Sequence, residues 1–282
     1  GDHRDLHLSL RRQRQMCIRD RFRDGEFYGT TGRFGDIPAT IFKVTTDGVF
    51  TTLVEFAEGE NPLAPMVQGS DGDFYGVTSG LDEGDDTILN HGTIFRMTPA
   101  GVLTTLLEFT GTEGPNLGSS PEAALVQGSD GNFYGTTPFG GAGEQGTIFR
   151  MTAEGVLTTL VEFSGTGAAD VGAFPDGALV MSSGGDFYGT TIRGGFDGND
   201  VGTVFRLTPE GTLTTLVDFA ARGGGGVGGS PAAALVLGDD GNFYGTTEFD
   251  GATDSGTVFK MTPAGVATRL VEFCLLYTSD AA

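Results

Sequence analysis

The sequence predicts an all-β protein, a β-propeller built from four-stranded antiparallel blades that repeat about every 54 residues. Three markers predict it. Phe-Tyr-Gly begins at Phe27, Phe74, Phe133, Phe187 and Phe243. Thr-[Ile/Val]-Phe ends at Phe42, Phe95, Phe149, Phe205 and Phe259, at spacings of 53, 54, 56 and 54 residues. A run related to LTTLVEF ends at Phe56, Phe109, Phe163, Phe219 and Phe273. Helix signals are lacking, because no stretch joins a 3.6-residue apolar period to enough freedom from the 49 glycines.

Each unit reads as four strands, called A to D. In the third unit these are residues 123–128 (AALVQG), 132–137 (NFYGTT), 146–152 (GTIFRMT) and 156–163 (VLTTLVEF). All are short and rich in β-branched or aromatic residues. Strands A and B are joined by Ser-Asp-Gly, and Asp-Gly tolerates the positive φ that primed hairpin turns require. Strands C and D are joined by Ala153-Glu154-Gly155, or by Pro99-Ala100-Gly101 and Pro209-Glu210-Gly211 in sister units. Strict alternation along strand D puts Leu157, Val161 and Phe163 on one face and Val156 and Leu160 on the other. A blade sandwiched between two neighbours needs such two-sided apolar character. A parallel β-solenoid is the rival architecture, and two antiparallel reversals per unit argue against it. Within the phrase DGNFYGTT, Phe and Tyr are expected to pack between blades. The glycine is expected to admit a close backbone approach.

Both ends stand apart from this pattern. The DNA string AG-ATG-TGT-ATA-AGA-GAC-AG translates as Met-Cys-Ile-Arg-Asp, found at Met16–Asp20. Its complement, TGT-CTC-TTA-TAC-ACA-TCT, translates as Cys-Leu-Leu-Tyr-Thr-Ser, found at Cys274–Ser279. Residues 1–21 and 274–282 are therefore expected to be non-native, adapter-derived segments, with the repeat domain at 22–273. The first unit then lacks its opening strand, and the whole reads as a piece of a longer gene. A closed five-bladed ring and an open arc of a larger ring both fit this pattern.

Composition narrows the function. Residues 22–273 hold 33 acidic and 10 basic side chains, one histidine and no cysteine. That excludes a disulfide framework, a thiolate nucleophile and a multi-histidine metal centre. So acidic a chain lacks the basic footprint that nucleic acid requires. No apolar run approaches the roughly 20 residues of a membrane span.

The string P-x-A-A-L-V-x-G-x-D-G-N-F-Y-G-T-T, then G-T-[IV]-F-[RK]-M-T-P-x-G, then L-T-T-L-V-E-F resembles the GloVer tandem repeat of the choice-of-anchor bacterial proteins. The resemblance covers residues 22–273. It implies an extracellular or cell-surface protein and offers no catalytic motif for transfer.

Strand order also locates the variable loops. In an up-and-down blade the A–B and C–D turns share one face, and the B–C and D–A loops share the other. The turns here are short and uniform, whereas the loops vary in length and sequence. A ligand is accordingly expected on the loop face. Asp82, Glu83, Asp85 and Asp86 form the densest acidic run, with His91 nearby, and Asp197, Asn199 and Asp200 share a second loop. Of these, Asp82, Asp85, Asp86, Asp197 and Asp200 are the calcium candidates, since calcium prefers oxygen ligands. Their plainer reading is solvated loop. No catalytic residue and no obligate cofactor is assigned. Arg96, Arg150, Arg206 and Lys260 recur after the Thr-[Ile/Val]-Phe marker and are expected to pair with neighbouring carboxylates. The resulting expectation is a monomeric, non-enzymatic binding or adhesion module for a glycan or protein. The alternative is a carbohydrate-active hydrolase or lyase that uses loop carboxylates.

Overall fold

The structure is a computed structural model that describes residues 25–33, 37–80, 90–165, 172–195, 201–219, 227–249 and 254–273, together with the backbone of 16–21. It is all-β, with five four-stranded antiparallel sheets of propeller-blade type, each in sequential strand order. By contact density the chain divides into two units. One holds Gly1–Phe109 with Ser120–Leu125, and the other holds Thr110–Ser119 with Val126–Ala282. The first two blades lie in the former and the last three in the latter.

The third blade shows the common plan. Strand A is Val126–Gln127, B is Phe133–Thr137, C is Thr147–Met151 and D is Leu157–Glu162. Strand A is only two residues long, shorter than the apolar run in the sequence. It pairs with the Phe-Tyr of strand B, Gln127 opposite Phe133 and Val126 opposite Tyr134.

Strand D departs from strict alternation. Ile148 pairs with Val161 but Phe149 pairs with Thr159, so Leu160 is an extra residue in a β-bulge. The bulge reverses the side-chain parity. Val161 and Leu160 therefore join one core with Phe163, Phe187 and Phe205, and Leu157 does not share their face. The same shift occurs in all five blades. Simple alternation grouped Leu157 with Val161 and is corrected here.

The hairpin turns also differ from expectation. In the second blade, Gly72 N–H donates to the Gly69 carbonyl at 3.0 Å, and Gly69 N–H donates to the Asp73 carbonyl at 2.8 Å. Gly72 has φ +95°, and Asp71 is not left-handed. This is a three-residue loop closed by a left-handed glycine, not a two-residue primed turn. The C–D turn repeats the design, with Gly101 at φ +85° and its N–H bonded to the Thr98 carbonyl.

Two aromatic ladders join successive blades within each unit. Tyr28 packs on Phe74 at 4.4 Å, Tyr134 on Phe187 at 4.1 Å and Tyr188 on Phe243 at 4.0 Å between ring centroids. In the second ladder, the last Phe of one blade meets the strand C Phe of the next. Phe56–Phe95, Phe163–Phe205 and Phe219–Phe259 are 5.6, 5.8 and 5.5 Å apart. Phe-Tyr therefore packs between blades, as the sequence suggested. The glycine that follows does something else. Gly189 lies opposite Phe205, and a Cβ there would meet the Phe205 ring at 2.5 Å. The missing side chain makes room for a ring within the same sheet, not for a neighbouring backbone.

The first sheet has four strands like the others. Its opening position is filled by Met16–Arg21, which pairs with Phe27–Thr31 across five residue pairs and a bulge. Sister blades make only two pairs there. The repeat sequence is absent from this strand, yet the sheet position is occupied. Backbone hydrogen bonding explains this, since an open sheet edge accepts any extended segment.

Candidate functional site

The turn face is built from the most regular residues. Asp130 caps its own hairpin, Oδ1 accepting the Asn132 N–H at 3.1 Å and Oδ2 accepting the Tyr134 hydroxyl at 2.9 Å. Asp71 does the same for Tyr75 at 2.7 Å, and Asp240 for Tyr244 at 2.9 Å. Burial, reinforced by the Asp130 bond, pushes the Tyr134 hydroxyl up to about 12. Burial acts to raise Asp130, but the bonds from Asn132 and Tyr134 outweigh it and leave the carboxyl below its ordinary value. The recurring cations close the network. Arg96 Nε lies 2.6 Å from Asp73, Lys260 Nζ 2.8 Å from Asp240 and Lys43 Nζ 2.6 Å from Glu26. Arg206 Nε lies 3.3 Å from Asp186, without hydrogen-bond alignment. These pairs join neighbouring strands or turns of one blade. Their charges are spent on each other, which suits a scaffold.

The fourth blade breaks the pattern. Its A–B turn reads Ser182-Ser183-Gly184-Gly185-Asp186, with Gly184 in the place of Asp71, Asp130 and Asp240. A cleft of about 420 Å³ opens there between the fourth and fifth blades. Ser182, Ser183, Asp186, Tyr188, Asp239 and Pro263 contribute to its walls.

The loop face is built differently. Among the last three blades, each D–A loop is clamped between the B–C loops of the two blades it joins. Phe174 N–H bonds to the Gln145 carbonyl at 2.9 Å on one side, and Ala173 exchanges backbone bonds with Arg193 at 2.8 and 3.1 Å on the other. Ser230 likewise bonds to Val201 while Gly229 bridges Phe249. The described loops of these three blades thus share one face, as strand order implied.

One aromatic cluster stands out on that face. Phe139 of one B–C loop is 48 % exposed, and its ring meets Phe174 edge-on at 5.5 Å. The Arg193 guanidinium sits 5.7 Å over the Phe174 ring. Phe174 has φ +55° and precedes a proline. The matching residues are Ser120 at φ +54° and Ser230 at φ +53°. A left-handed non-glycine residue costs about 1–2 kcal/mol, and this loop spends it on a large ring where sister loops use serine.

A family model described as the Gloeobacter/Verrucomicrobia repeat matches residues 90–281. The chain belongs to this family. The GloVer resemblance read from the motifs is the same family. No curated protein matches the chain. Among solved structures it is similar to a luciferin-regenerating enzyme, at 14 % identity and TM-score 0.53, over 88 % of this chain and 77 % of that one. It is also similar to a protein described as a putative gluconolactonase, at 15 % identity and TM-score 0.50, over 91 % and 75 % of the two chains. A protein of unknown function from Dyadobacter fermentans matches at 10 % identity and TM-score 0.51, over 89 % and 80 %. At these identities the likeness concerns the β-propeller fold alone.

Within this Gloeobacter/Verrucomicrobia repeat protein, Asp82, Glu83, Asp85, Asp86, Asp197, Asn199 and Asp200 all lie outside the described residues. Among the described residues, no group of three or more His, Cys, Asp or Glu side chains could hold a metal ion. His91 is half-buried in a B–C loop, where its carbonyl accepts the Ser120 N–H at 2.8 Å. Asp176, in the D–A loop behind Phe174, is raised from the ordinary carboxylate range by burial and then by the charge of Glu248. Sequence reasoning missed Phe139, Phe174 and Arg193. The signal was the change from Ser-Pro at 120–121 and 230–231 to Phe-Pro at 174–175.

Proposed function

We propose that the chain is a non-enzymatic binding or adhesion module, exported to the cell surface or beyond, that holds a glycan or protein ligand on its loop face. The Phe139–Phe174–Arg193 cluster carries this reading. An exposed ring and a guanidinium on clamped loops suit sugar stacking or a hot-spot contact. The sister loops hold serine at the same left-handed position, so it is the large ring and not the backbone that sets this loop apart. The turn network, satisfied internally in the second, third and fifth blades, supports assigning the repeat to scaffold.

The test is to probe a glycan array and a panel of immobilised surface proteins with the purified chain, alongside polysaccharide hydrolysis assays. Retention of a ligand without turnover is the expected result. Measurable hydrolysis with nothing retained overturns the proposal.

A second reading has one observation in its favour. Asp176, held toward its protonated form beside Glu248, is the kind of carboxyl that serves as a general acid. On that reading Asp176→Asn abolishes polysaccharide cleavage.

A further inference from the structure

The fourth blade lacks a carboxylate that its sisters supply to themselves. In the second, third and fifth blades the Phe-Tyr-Gly tyrosine donates to an aspartate of its own A–B turn at 2.7–2.9 Å. That aspartate also accepts a backbone N–H two residues on, at 3.1 Å in each case. Position 184 is glycine, so Tyr188 and the Asp186 N–H have no such acceptor. Tyr188 is only 3 % exposed, and its hydroxyl reaches the Pro263 carbonyl at 3.5 Å. That is well beyond the usual 2.7–2.8 Å of an O–H···O bond, and a buried donor left so loosely engaged is costly.

The space left by the missing side chain is open. A Cβ on Gly184 would find nothing closer than the Ser182 hydroxyl at 3.7 Å. The blade has adjusted its turn accordingly. Where the aspartate is present, the first turn residue is glycine. A Cβ there would strike the carboxylate and ring, at 2.6 and 2.8 Å for Gly128 and at 2.8 Å for both at Gly238. The fourth blade carries Ser182 instead, and this residue lines the cleft. The volume of about 420 Å³ exceeds what one carboxyl group fills and falls within the 300–1,000 Å³ range of small-molecule pockets.

We propose that this cleft on the turn face binds a small hydroxylated carboxylic acid, whose carboxylate takes the place of the missing aspartate and accepts the Tyr188 hydroxyl. The remaining walls suit the hydroxyl groups of such a ligand. Ser182 and Ser183 both donate and accept, and Asp239 accepts. Asp186 does not leave the anion facing a bare negative charge, because Arg206 lies 3.3 Å from it. The site lies on the face opposite the Phe174 cluster and stands or falls independently of the proposed function.

D-glucuronate is the probe, with methyl glucoside as a neutral control that keeps the ring hydroxyls. Calorimetric titration and thermal shift are read on the whole chain. Glucuronate is expected to bind and raise Tm, with methyl glucoside at least tenfold weaker. The double variant Ser182→Gly/Gly184→Asp restores the sister turn, supplying the carboxylate internally together with the glycine that makes room for it, so it is expected to fold, melt at or above wild type and lose the glucuronate response. Tyr188→Phe is expected to lose the response as well. The proposal is overturned if wild type shows no response, if methyl glucoside binds equally well, or if Ser182→Gly/Gly184→Asp still responds as wild type does.

Discussion

Replacing Gly189 by alanine tests the packing logic of the repeat. Gly189 sits in a strand without a left-handed φ, so alanine suits its backbone and restricts the unfolded chain. Any loss must therefore be steric. The added Cβ would lie 2.5 Å from Phe205 Cζ and 2.9 Å from Leu179 Cδ2. Carbon atoms rest at about 3.5–4.0 Å, so the methyl intrudes by roughly 1 Å on two sides. The ring has nowhere to go, since Phe205 is fully buried and packed against Phe163 at 5.8 Å. Overpacking of this kind costs about 3 kcal/mol, which in a chain of this size lowers Tm by roughly 6–12 °C. Gly131→Ala is the control. It has φ +81° with nothing within 4 Å of the new Cβ. It should cost only the left-handed penalty of about 1 kcal/mol. Calorimetry in a Phe205→Leu background completes the cycle, where the alanine should cost much less. A Gly189→Ala melt within about 1 °C of wild type, or an equal cost in both backgrounds, refutes the reasoning.

Two further predictions concern protonation. The Asp176 carboxyl is raised, so the fold disfavours its ionised form; the cost is present at neutral pH and vanishes below the unfolded value of about 3.9. Asp176→Asn should raise Tm at pH 7 and gain progressively less toward pH 3; equal gains at both ends count against it. Asp130 is lowered, so its contribution is present above the unfolded value and is lost as pH falls through the folded one. The Tm gap between wild type and Asp130→Asn should hold steady above about pH 5 and narrow below about pH 4; a gap that stays constant to pH 2.5 contradicts this.

Much of the scaffold was legible because it is repeated. The Phe-Tyr-Gly, Thr-[Ile/Val]-Phe and LTTLVEF markers located strands B, C and D to within a residue or two, and hairpin residues ordered them. The Arg96, Arg206 and Lys260 pairings were legible for the same reason. The bulge at Leu160 was not, because period-2 alternation assumes that each residue opposes one partner. The role of Gly189 was hidden too, since a gap for a ring and a gap for a backbone look alike in sequence. Both features on which function is argued are departures from the repeat, Phe174 for serine and Gly184 for aspartate. Neither recurs, so the repeat pattern does not mark them. The acidic loops drew attention by charge alone, which says nothing of how their side chains converge.

The most direct test of the division between scaffold and binding surface compares two variants on one glycan array and one calorimeter. Phe174→Ser installs the residue that the sister loops carry, so it should fold, melt at or slightly above wild type and lose ligand retention. Tyr134→Phe removes a repeat hydrogen bond worth about 1–2 kcal/mol. It should melt lower and retain ligand as wild type does. Undiminished retention by Phe174→Ser, with loss of retention in Tyr134→Phe, would place the binding surface on the repeat itself and contradict the account.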